Sequence, residues 1–302
     1  MSPRFAQPAR FRRPTLLIVG CGDVGLRVAR LLRGRWRVLG LTSSPPRRAV
    51  LRDAGVLPIV GDLDRPASLG RLAGLADAVL HLAPPAPSGV HDHRTANLLH
   101  ALARSGPGAV PAAIVYGSTS GVYGDCAGAR FDETRTVNPA TDRARRRVDA
   151  ERQLRRFALA FGVRVSILRI PGIYAADRAG HPRERLARGT PVLAPPHDGY
   201  TNHIHADDLA RACVAALARG RPQRVVHASD DTELTMGAYF DLAAALCGLP
   251  RPPRVARDAA AAQLTPMQLS FSGESRRLIN RRLKDELRLR LRFATVADGL
   301  LA

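Results

Sequence analysis

The sequence predicts an α/β fold with a doubly wound parallel sheet. Three observations carry this prediction: a glycine-rich turn that joins an apolar run to a helical pattern, further short apolar runs that alternate with helical segments, and a hydrophobic content of 45% over 302 residues. Short apolar runs separated by helices are typical of parallel strands that are covered on both faces. A chain of this length and apolar content can bury a full core.

The glycine-rich turn lies near the start of the chain. Leu16–Val19 is a continuous apolar run and is predicted to be a buried strand, whereas Asp23–Leu32 carries apolar residues at helical spacing. The glycines between them follow the pattern G-x-G-x-x-G, which allows a tight turn, the approach of a pyrophosphate and close helix packing. A merely structural turn is the alternative. We expect the pyrophosphate of a dinucleotide to lie at the N-terminus of this helix, in contact with Gly20, Gly22, Asp23, Val24 and Gly25.

The second strand, Arg37–Leu41, leads into hydroxyl-bearing and basic residues. In NAD-binding versions of this unit a carboxylate near this point holds the ribose 2′-hydroxyl, and no acid occurs from Val38 to Arg48. A 2′-phosphate instead requires hydrogen-bond donors and a cation. A capped loop with solvated arginines is the alternative. The sequence therefore favours NADP over NAD, with the phosphate contacts at Thr42, Ser43, Ser44, Arg47 and Arg48.

The next two strands are expected to end at the same edge of the sheet as the glycine-rich turn. Leu57–Val60 and Asp77–Leu82 are both apolar runs followed by turn residues. Because ligands of open α/β sheets bind outside the carboxyl ends of the strands, residues there are further expected cofactor contacts. They are Asp62, Leu63, Leu82, Ala83 and Pro84. Asp64, two residues before Pro66, is predicted to cap a following helix.

Two more strands and two long helices complete the predicted pattern. The strands are Ala112–Tyr116 and Val163–Arg169, and the helices are His91–Arg104 and Asp142–Phe161. A run of hydroxyl-bearing residues, GSTSGVYG at 117–124, follows the first of these strands. Hydroxyls at the carboxyl end of a central strand are well placed to donate to a substrate, and a polar turn is the structural alternative.

The hydroxyl-rich segment carries a family resemblance. It resembles the S-[ST]-x-x-V-Y-G segment of the short-chain dehydrogenase/reductase superfamily, in its extended or atypical NAD-dependent epimerase/dehydratase branch. LRIPGIY at 168–174, NHIHADDL at 202–209 and RRLINRRLKDEL at 276–287 resemble other segments of that branch in the same order. The resemblance spans roughly residues 15 to 300.

The resemblance implies an arrangement and an activity. Residues 15–172 would form a dinucleotide-binding Rossmann domain, residues 173–200 and 229–302 a smaller C-terminal substrate-binding lobe, and residues 201–228 a return to the Rossmann domain. The implied activity is that of an epimerase, dehydratase or oxidoreductase, in which hydride moves between a nicotinamide and a hydroxyl of a sugar nucleotide or a similar small molecule. The alternative is a non-catalytic NADP(H)-binding sensor or scaffold module.

The sequence departs from the family pattern at its catalytic pair. Most of the superfamily carries Y-x-x-x-K on the long helix, with the lysine one turn before a glutamate. Glu151 fits the glutamate, and counting back places Arg147 and Arg143 where the lysine and tyrosine would stand. Arginine cannot titrate near neutral pH. Thr119 matches the hydroxyl that binds the substrate, and Tyr123 is a nearby substitute tyrosine, so these four residues are the catalytic candidates.

Composition limits the classes of partner. The net charge of +20 invites nucleic-acid binding. However, the arginines are dispersed, Lys284 is the only lysine and aromatic residues make up 5%, so no specific nucleic-acid partner is expected. The expected partner is a small-molecule substrate. No apolar run is long enough to cross a bilayer, so no membrane contact is expected. The assembly state stays open between a monomer and a homodimer.

The cysteines and histidines suggest no metal site. Four scattered cysteines without C-x-x-C pairing argue against zinc and disulfides and indicate a cytoplasmic protein. His203, His205, Asp207 and Asp208 resemble a metal or acid/base cluster, but a helix cap by Asp207 or Asp208 is the favoured interpretation. Residues 1–14 are basic and free of acids, and they are predicted to be a disordered arm.

Overall fold

A seven-stranded, fully parallel sheet forms the centre of the fold. The computed structural model describes residues 13–265, 268–270 and 273–302, so most of the predicted N-terminal arm lies outside the described residues. The strand order is β12-β7-β5-β4-β1-β2-β3. These strands are β1 (Thr15–Val19), β2 (Arg37–Thr42), β3 (Leu57–Val60), β4 (Ala78–His81), β5 (Ala113–Thr119), β7 (Arg164–Ile170) and β12 (Arg224–His227).

Helices cover both faces of this sheet, which confirms the doubly wound α/β prediction. Side chains alternate along β1, so that Leu16 and Ile18 pack into one apolar cluster while Leu17 and Val19 pack into the other. The first cluster includes residues of α1, α2 and α6, and the second includes residues of α3 and α4. These helices are α1 (Asp23–Leu32), α2 (Arg47–Asp53), α3 (His93–Ala103), α4 (Asp142–Phe161) and α6 (Ala206–Arg219).

Most of the remaining described elements are short. Four two-stranded sheets pair β6 with β15, β8 with β11, β9 with β14, and β10 with β13. Their strands are β6 (Arg130–Phe131), β8 (Gly172–Tyr174), β9 (Val192–Leu193), β10 (Tyr200–Thr201), β11 (His203–His205), β13 (Leu234–Thr235), β14 (Arg254–Val255) and β15 (Arg277–Leu278). The helices are α5 (Pro182–Ala187), α7 (Met236–Cys247), α8 (Arg257–Ala260), α9 (Arg281–Asp285) and α10 (Val296–Gly299), and three 3₁₀ segments are Pro66–Leu72, Pro107–Ala109 and Ser120–Tyr123.

A separate apolar cluster lies outside the central sheet, in the part of the chain predicted to form the substrate-binding lobe. It joins α5, α7 and α10 through buried residues that include Leu186, Phe240 and Val296. In the C-terminal segment, the Lys284 ammonium lies 2.6 Å from the Asp231 carboxylate. None of the described helices has the length and apolar composition that a membrane span requires.

Two capping predictions are wrong, because tertiary partners take the carboxylates. Asp64 caps no helix; it pairs with Arg94 at 2.6 Å, and the segment after it is 3₁₀ rather than α-helical. Helix α6 is capped by the side chain of His205, which accepts a hydrogen bond from the Asp207 amide at 3.1 Å. Asp208 is buried and accepts instead from the backbone N–H of Arg292 at 2.9 Å.

Candidate functional site

The glycine-rich turn is tight, and its backbone is open at the second glycine. Gly20 has a φ of +86°, and a Cβ there would lie 2.4 Å from the backbone nitrogen of Ala83, so only glycine fits the turn. A Cβ on Gly25 would lie 3.1 Å from Ile18, which fits the close packing of α1 on β1. A Cβ on Gly22 would meet no atom within 4 Å, so the backbone is open at the point where a pyrophosphate is expected.

One cavity of about 430 Å³ lies on the β2 side of the turn. It brings together most of the predicted cofactor residues, namely Gly20, Gly22, Thr42, Ser43, Arg47, Asp62, Leu63, Leu82, Ala83 and Pro84. Arg47 donates to the carbonyl oxygen of Cys21 at 3.1 Å, which holds its guanidinium across the turn. Ser44 and Arg48 do not line this cavity. Arg94 does line it and was not predicted.

A second cavity, of about 330 Å³, continues from the first over the start of α1. It shares Gly20, Gly22 and Leu82 with the first cavity and adds the predicted Asp23, Val24 and Gly25. Arg178 also lines it and forms an ion pair with Asp23, which the sequence did not predict. No sequence pattern pointed to Arg178, because it lies in a loop after β8 that contains no motif.

The third cavity, of about 450 Å³, lies at the C-terminal end of β5 and the N-terminal end of α4. It brings together the predicted Thr119, Arg143 and Arg147, and it shares Thr119 and Arg147 with the second cavity. The three cavities are therefore neighbours along the carboxyl edge of the sheet. Other lining residues are Tyr174, Arg185, Tyr200, His203, Tyr239, Glu274 and Arg276.

The two arginines of α4 lie in different surroundings. Arg147 donates to the carbonyl oxygen of Gly117 at 2.7 Å and to the hydroxyl of Tyr116 at 3.1 Å. Burial raises the pKa of Tyr116 to about 12, so this phenol stays protonated at neutral pH. Burial lowers the pKa of Arg143. The nearby carboxylate of Glu274 raises this pKa, and the positive charge of Arg147 lowers it further. Arg143 remains a cation, since guanidinium is charged throughout the physiological range.

Tyr123 is not brought to the cavity. Its side chain is 1% exposed, and its hydroxyl accepts from Arg169 at 2.6 Å and lies 2.6 Å from Nε2 of His227. His227 lies 3.0 Å from the carbonyl oxygen of Ile279 through Nδ1, so Nε2 is the acceptor for the phenol. Burial raises the pKa of Tyr123 to about 12. These contacts give Tyr123 a place in the core rather than beside Thr119.

A buried polar network supports the end of β5. The hydroxyl of Ser118 donates to Glu151 at 2.6 Å, and Glu151 pairs with Arg169 at 2.8 Å. The Thr119 side chain follows directly and accepts from the Gly121 amide at 3.2 Å. Its hydroxyl proton is left to donate elsewhere, because the bond to Gly121 uses only an oxygen lone pair.

Few groups in the third cavity can exchange a proton near neutral pH. His203 is stacked on Tyr239 with ring centroids 4.1 Å apart, and burial lowers its pKa to about 3. Glu274 pairs with Arg276 at 2.6 Å. Within the described part of the chain, no group of three or more histidine, cysteine or acidic residues is arranged to hold a metal ion.

Residues 16–228 match the model of the NAD dependent epimerase/dehydratase family. No curated protein matches the sequence. A conserved protein of unknown function from Silicibacter pomeroyi DSS is 30% identical, with a TM-score of 0.79, over 95% of this chain and 97% of that one.

Two sugar-nucleotide epimerases have similar folds. UDP-glucose 4-epimerase from Thermotoga maritima, solved with UDP-glucose, is 19% identical with a TM-score of 0.76. UDP-glucuronic acid 4-epimerase from Bacillus cereus, solved with NAD, is 18% identical with a TM-score of 0.75. Each comparison covers 95% of this chain and 96% of the other. At this identity the likeness establishes the fold alone.

Proposed function

We propose, from the premise that this chain belongs to the NAD dependent epimerase/dehydratase family, that it binds NADP(H) and acts on a sugar nucleotide or a similar small hydroxylated molecule beside Thr119. The observation that carries the proposal is that the three cavities are neighbours that share lining residues. The first and second meet at Gly20 and Gly22, and the second and third meet at Thr119 and Arg147.

The order of the three cavities supports a single direction for the cofactor. Gly22 and the N-terminus of α1 would hold the pyrophosphate, because free backbone N–H groups and the helix dipole favour anions there. The β2 side would hold the adenosine half, leaving the nicotinamide half near Thr119. When bound, the nicotinamide would supply the hydride-transfer chemistry of the family.

The preference for NADP is supported by the residues of the β2-side cavity. Arg47 and Ser43 both line it, and the Arg47 guanidinium is held there by the Cys21 carbonyl. A cation and a hydroxyl suit a 2′-phosphate. Asp62 lines the same cavity, but one of its oxygens already accepts from the Asp64 amide at 2.9 Å.

The side chains near the nicotinamide end divide into binding and proton-transfer roles. Thr119 would donate a hydrogen bond to a substrate oxygen. Arg143 and Arg147 would orient anionic or hydroxyl groups but cannot accept a proton, since guanidinium has no acceptor. Turnover would therefore require another proton acceptor, and Tyr200 and Glu274 are titratable residues that line the cavity.

A second candidate function is a non-catalytic NADP(H)-binding sensor or scaffold. The observation that favours it is the pair Arg143 and Arg147, which replaces the titratable pair of the resembled family at the substrate end of the crevice. Both candidates share the cofactor. They differ in whether bound nucleotide is turned over.

The experiment that tests the proposal has two stages. Calorimetric titration of the purified protein with NADP⁺, NADPH and NAD⁺ should show binding that is tightest for the phosphorylated forms. Sugar nucleotides, alcohols and ketones are then incubated with the complex, and their products are separated by chromatography. Turnover that falls in Thr119→Val, but not in the exposed control Thr134→Val, supports the enzyme. Binding without turnover supports the module, and absence of nucleotide binding contradicts both.

A further inference from the structure

We propose a second ligand site, for a nucleoside phosphate, in a fourth cavity at the edge of the sheet opposite the first three cavities. The fourth cavity has a volume of about 690 Å³, which suits a small ligand. Its lining includes the first residues of β2 and β3, Arg37 and Leu57, and none of its lining residues lines the other three cavities. The site is independent of the proposed function.

Strand β2 separates the fourth cavity from the expected cofactor position. Arg37 begins the strand and lines the fourth cavity, whereas Thr42 ends it and lines the first. These two residues lie about 17 Å apart, at a rise of about 3.3 Å per residue. A ligand in the fourth cavity is therefore a molecule other than the cofactor bound at the glycine-rich turn.

Three exposed arginines of the fourth cavity have no counter-ion in the part of the chain that the structure describes. No ion pair or hydrogen bond among the described residues involves the guanidinium groups of Arg13, Arg33 or Arg37, and no carboxylate lines the cavity. The sequence before Arg13 contains no acid either. A concave site whose charges have one sign concentrates ions of the opposite sign. The fourth cavity therefore favours an anion.

The C-terminus of α1 does not account for these arginines. Cations near the end of a helix commonly bind its free carbonyl groups. Here Arg35 has that role, because its guanidinium donates to the carbonyl oxygen of Leu31 at 2.7 Å. The Arg33 guanidinium lies elsewhere: its Nη2 atom would be 3.7 Å from a Cβ on Gly55, which also lines the cavity. Arg33 is therefore available to a ligand in this cavity.

Trp36 gives the fourth cavity an aromatic surface. It is partly buried against the apolar cluster that contains Ala29 and Val38, and these two residues also line the cavity. Among the described residues, no ring or guanidinium stacks on the indole, and the indole N–H has no acceptor. Nucleobases stack on aromatic surfaces of this kind. The cavity therefore offers a held aromatic side chain beside the three arginines.

The two features together select the class of ligand. Inorganic phosphate would leave Trp36 without a partner, and a neutral aromatic compound would leave the three arginines without one. A nucleoside phosphate satisfies both, since its base stacks on the indole and its phosphates accept paired hydrogen bonds from guanidinium groups.

The fluorescence of Trp36 tests the proposal directly, because this is the only tryptophan of the chain. ADP, adenosine and inorganic pyrophosphate are titrated separately into the full chain at constant ionic strength. We expect ADP to change the emission saturably and to bind about tenfold more tightly than either of the other two, because only ADP engages both the ring and the arginines. ADP bound at the glycine-rich turn would leave this emission unchanged, since β2 lies between the two sites.

Variants of the lining arginines extend the test. Arg33→Gln and Arg37→Gln should each weaken ADP binding about tenfold, because each loses a hydrogen bond between charged groups. Arg35→Gln is the matched control, since it removes the same charge from a neighbouring position that does not line the cavity. Thermal unfolding followed by circular dichroism shows that each variant is folded.

Three results would overturn the proposal and leave the proposed function untouched. The first is the absence of any saturable change in Trp36 emission at millimolar ADP. The second is pyrophosphate or adenosine binding as tightly as ADP, which would remove either the ring or the arginines from recognition. The third is an ADP affinity that falls no further in Arg33→Gln and Arg37→Gln than in Arg35→Gln, which would reduce the effect to the overall charge of the protein.

Discussion

Glu151 and Arg169 form an ion pair of 2.8 Å in which both side chains are 5% exposed. The same carboxylate accepts from Ser118, so the pair connects α4 and β7 with the end of β5. Thr119 is the next residue of β5, and Arg147 lies one helical turn before Glu151. The network therefore fixes the position of α4 relative to the hydroxyl proposed to bind substrate.

Removing one partner of this pair should be costly. Glu151→Gln leaves the Arg169 guanidinium without its counter-ion, and we expect the free energy of unfolding to fall by about 3 to 5 kcal/mol. Asp142→Asn is the control, because it breaks an exposed pair with Arg145 on the same helix, where the expected loss is about 1 kcal/mol or less. Urea unfolding followed by circular dichroism measures both. Similar losses in the two variants would contradict the buried-network interpretation.

Selectivity for NADP should depend on one of two adjacent arginines. Arg47 lines the β2-side cavity and Arg48 does not. Arg47→Gln should therefore weaken NADP⁺ binding by about 1 to 3 kcal/mol, the value of a hydrogen bond between charged groups, and leave NAD⁺ binding unchanged. Arg48→Gln is the matched control. Calorimetry that gives equal wild-type affinities for the two nucleotides would refute the preference.

Restoring the family's pair should restore its proton chemistry. The wild type lacks a titratable group at positions 143 and 147, so Arg143→Tyr combined with Arg147→Lys should convert substrates faster than the wild type does. The readout is product formation in the substrate screen, with Arg145→Lys as a control on the same helix. Wild-type turnover that disappears in Tyr123→Phe would show instead that a displaced tyrosine acts.

Stability should fall in mild acid because His81, His203, His205 and His227 are buried, and burial lowers the pKa of each. Burial lowers the pKa of His81, His203 and His227 to about 3, against about 6.5 when unfolded. Below about pH 6.5 the unfolded chain binds more protons than the folded chain does. Each buried histidine therefore lowers the free energy of unfolding as the pH falls. Burial raises the pKa of Asp230 to about 7, which works in the opposite direction.

The net effect can be measured between pH 6 and pH 5. Three histidines and one opposing carboxyl predict a fall in the free energy of unfolding of about 2 kcal/mol. Asp230→Asn removes the opposing contribution and should deepen the fall to about 4 kcal/mol, whereas His227→Gln should reduce it to about 1 kcal/mol. Urea titrations at the two pH values report these slopes. A wild-type stability that is flat or rising as the pH falls would contradict the prediction.

Any nucleic-acid binding should be non-specific. The net charge of +20 attracts phosphate, but the arginines are dispersed along the chain. Fluorescence anisotropy with labelled duplexes of unrelated sequence should give equal affinities that fall linearly, on a logarithmic scale, with rising salt. One sequence that remains bound at physiological salt while the others dissociate would refute this.

Much of the fold was predictable because its signals are local. Helix α4 begins and ends where the sequence predicts, with Thr141 as its N-cap and Gly162 at a φ of +68° at its end. Strand β5 runs three residues beyond its predicted end because β7 pairs with it as far as Thr119. The caps expected at Asp64, and at Asp207 or Asp208, failed for a related reason. Partners distant in sequence took those carboxylates, and no local pattern contains such partners.

The residues of the candidate site also fall into two groups, those that sequence motifs identify and those that only the folded structure identifies. Thr119, Arg143 and Arg147 were found by counting along motifs, and the structure brings them to one cavity. Arg178 and Arg185 could not be found by counting, because they lie outside the motifs and reach the crevice only through tertiary packing. Only the cavity linings of the folded chain identify them.

The Lys284–Asp231 ion pair has a consequence for covalent chemistry. Acetylation and ubiquitination of side chains act on the lysine amine, which an arginine guanidinium does not replace. Lys284 is the only lysine, so these two modifications can reach one side chain, and there they would remove the charge that pairs with Asp231. An amine-reactive dye would likewise label this single side chain and report on the packing of the C-terminal segment.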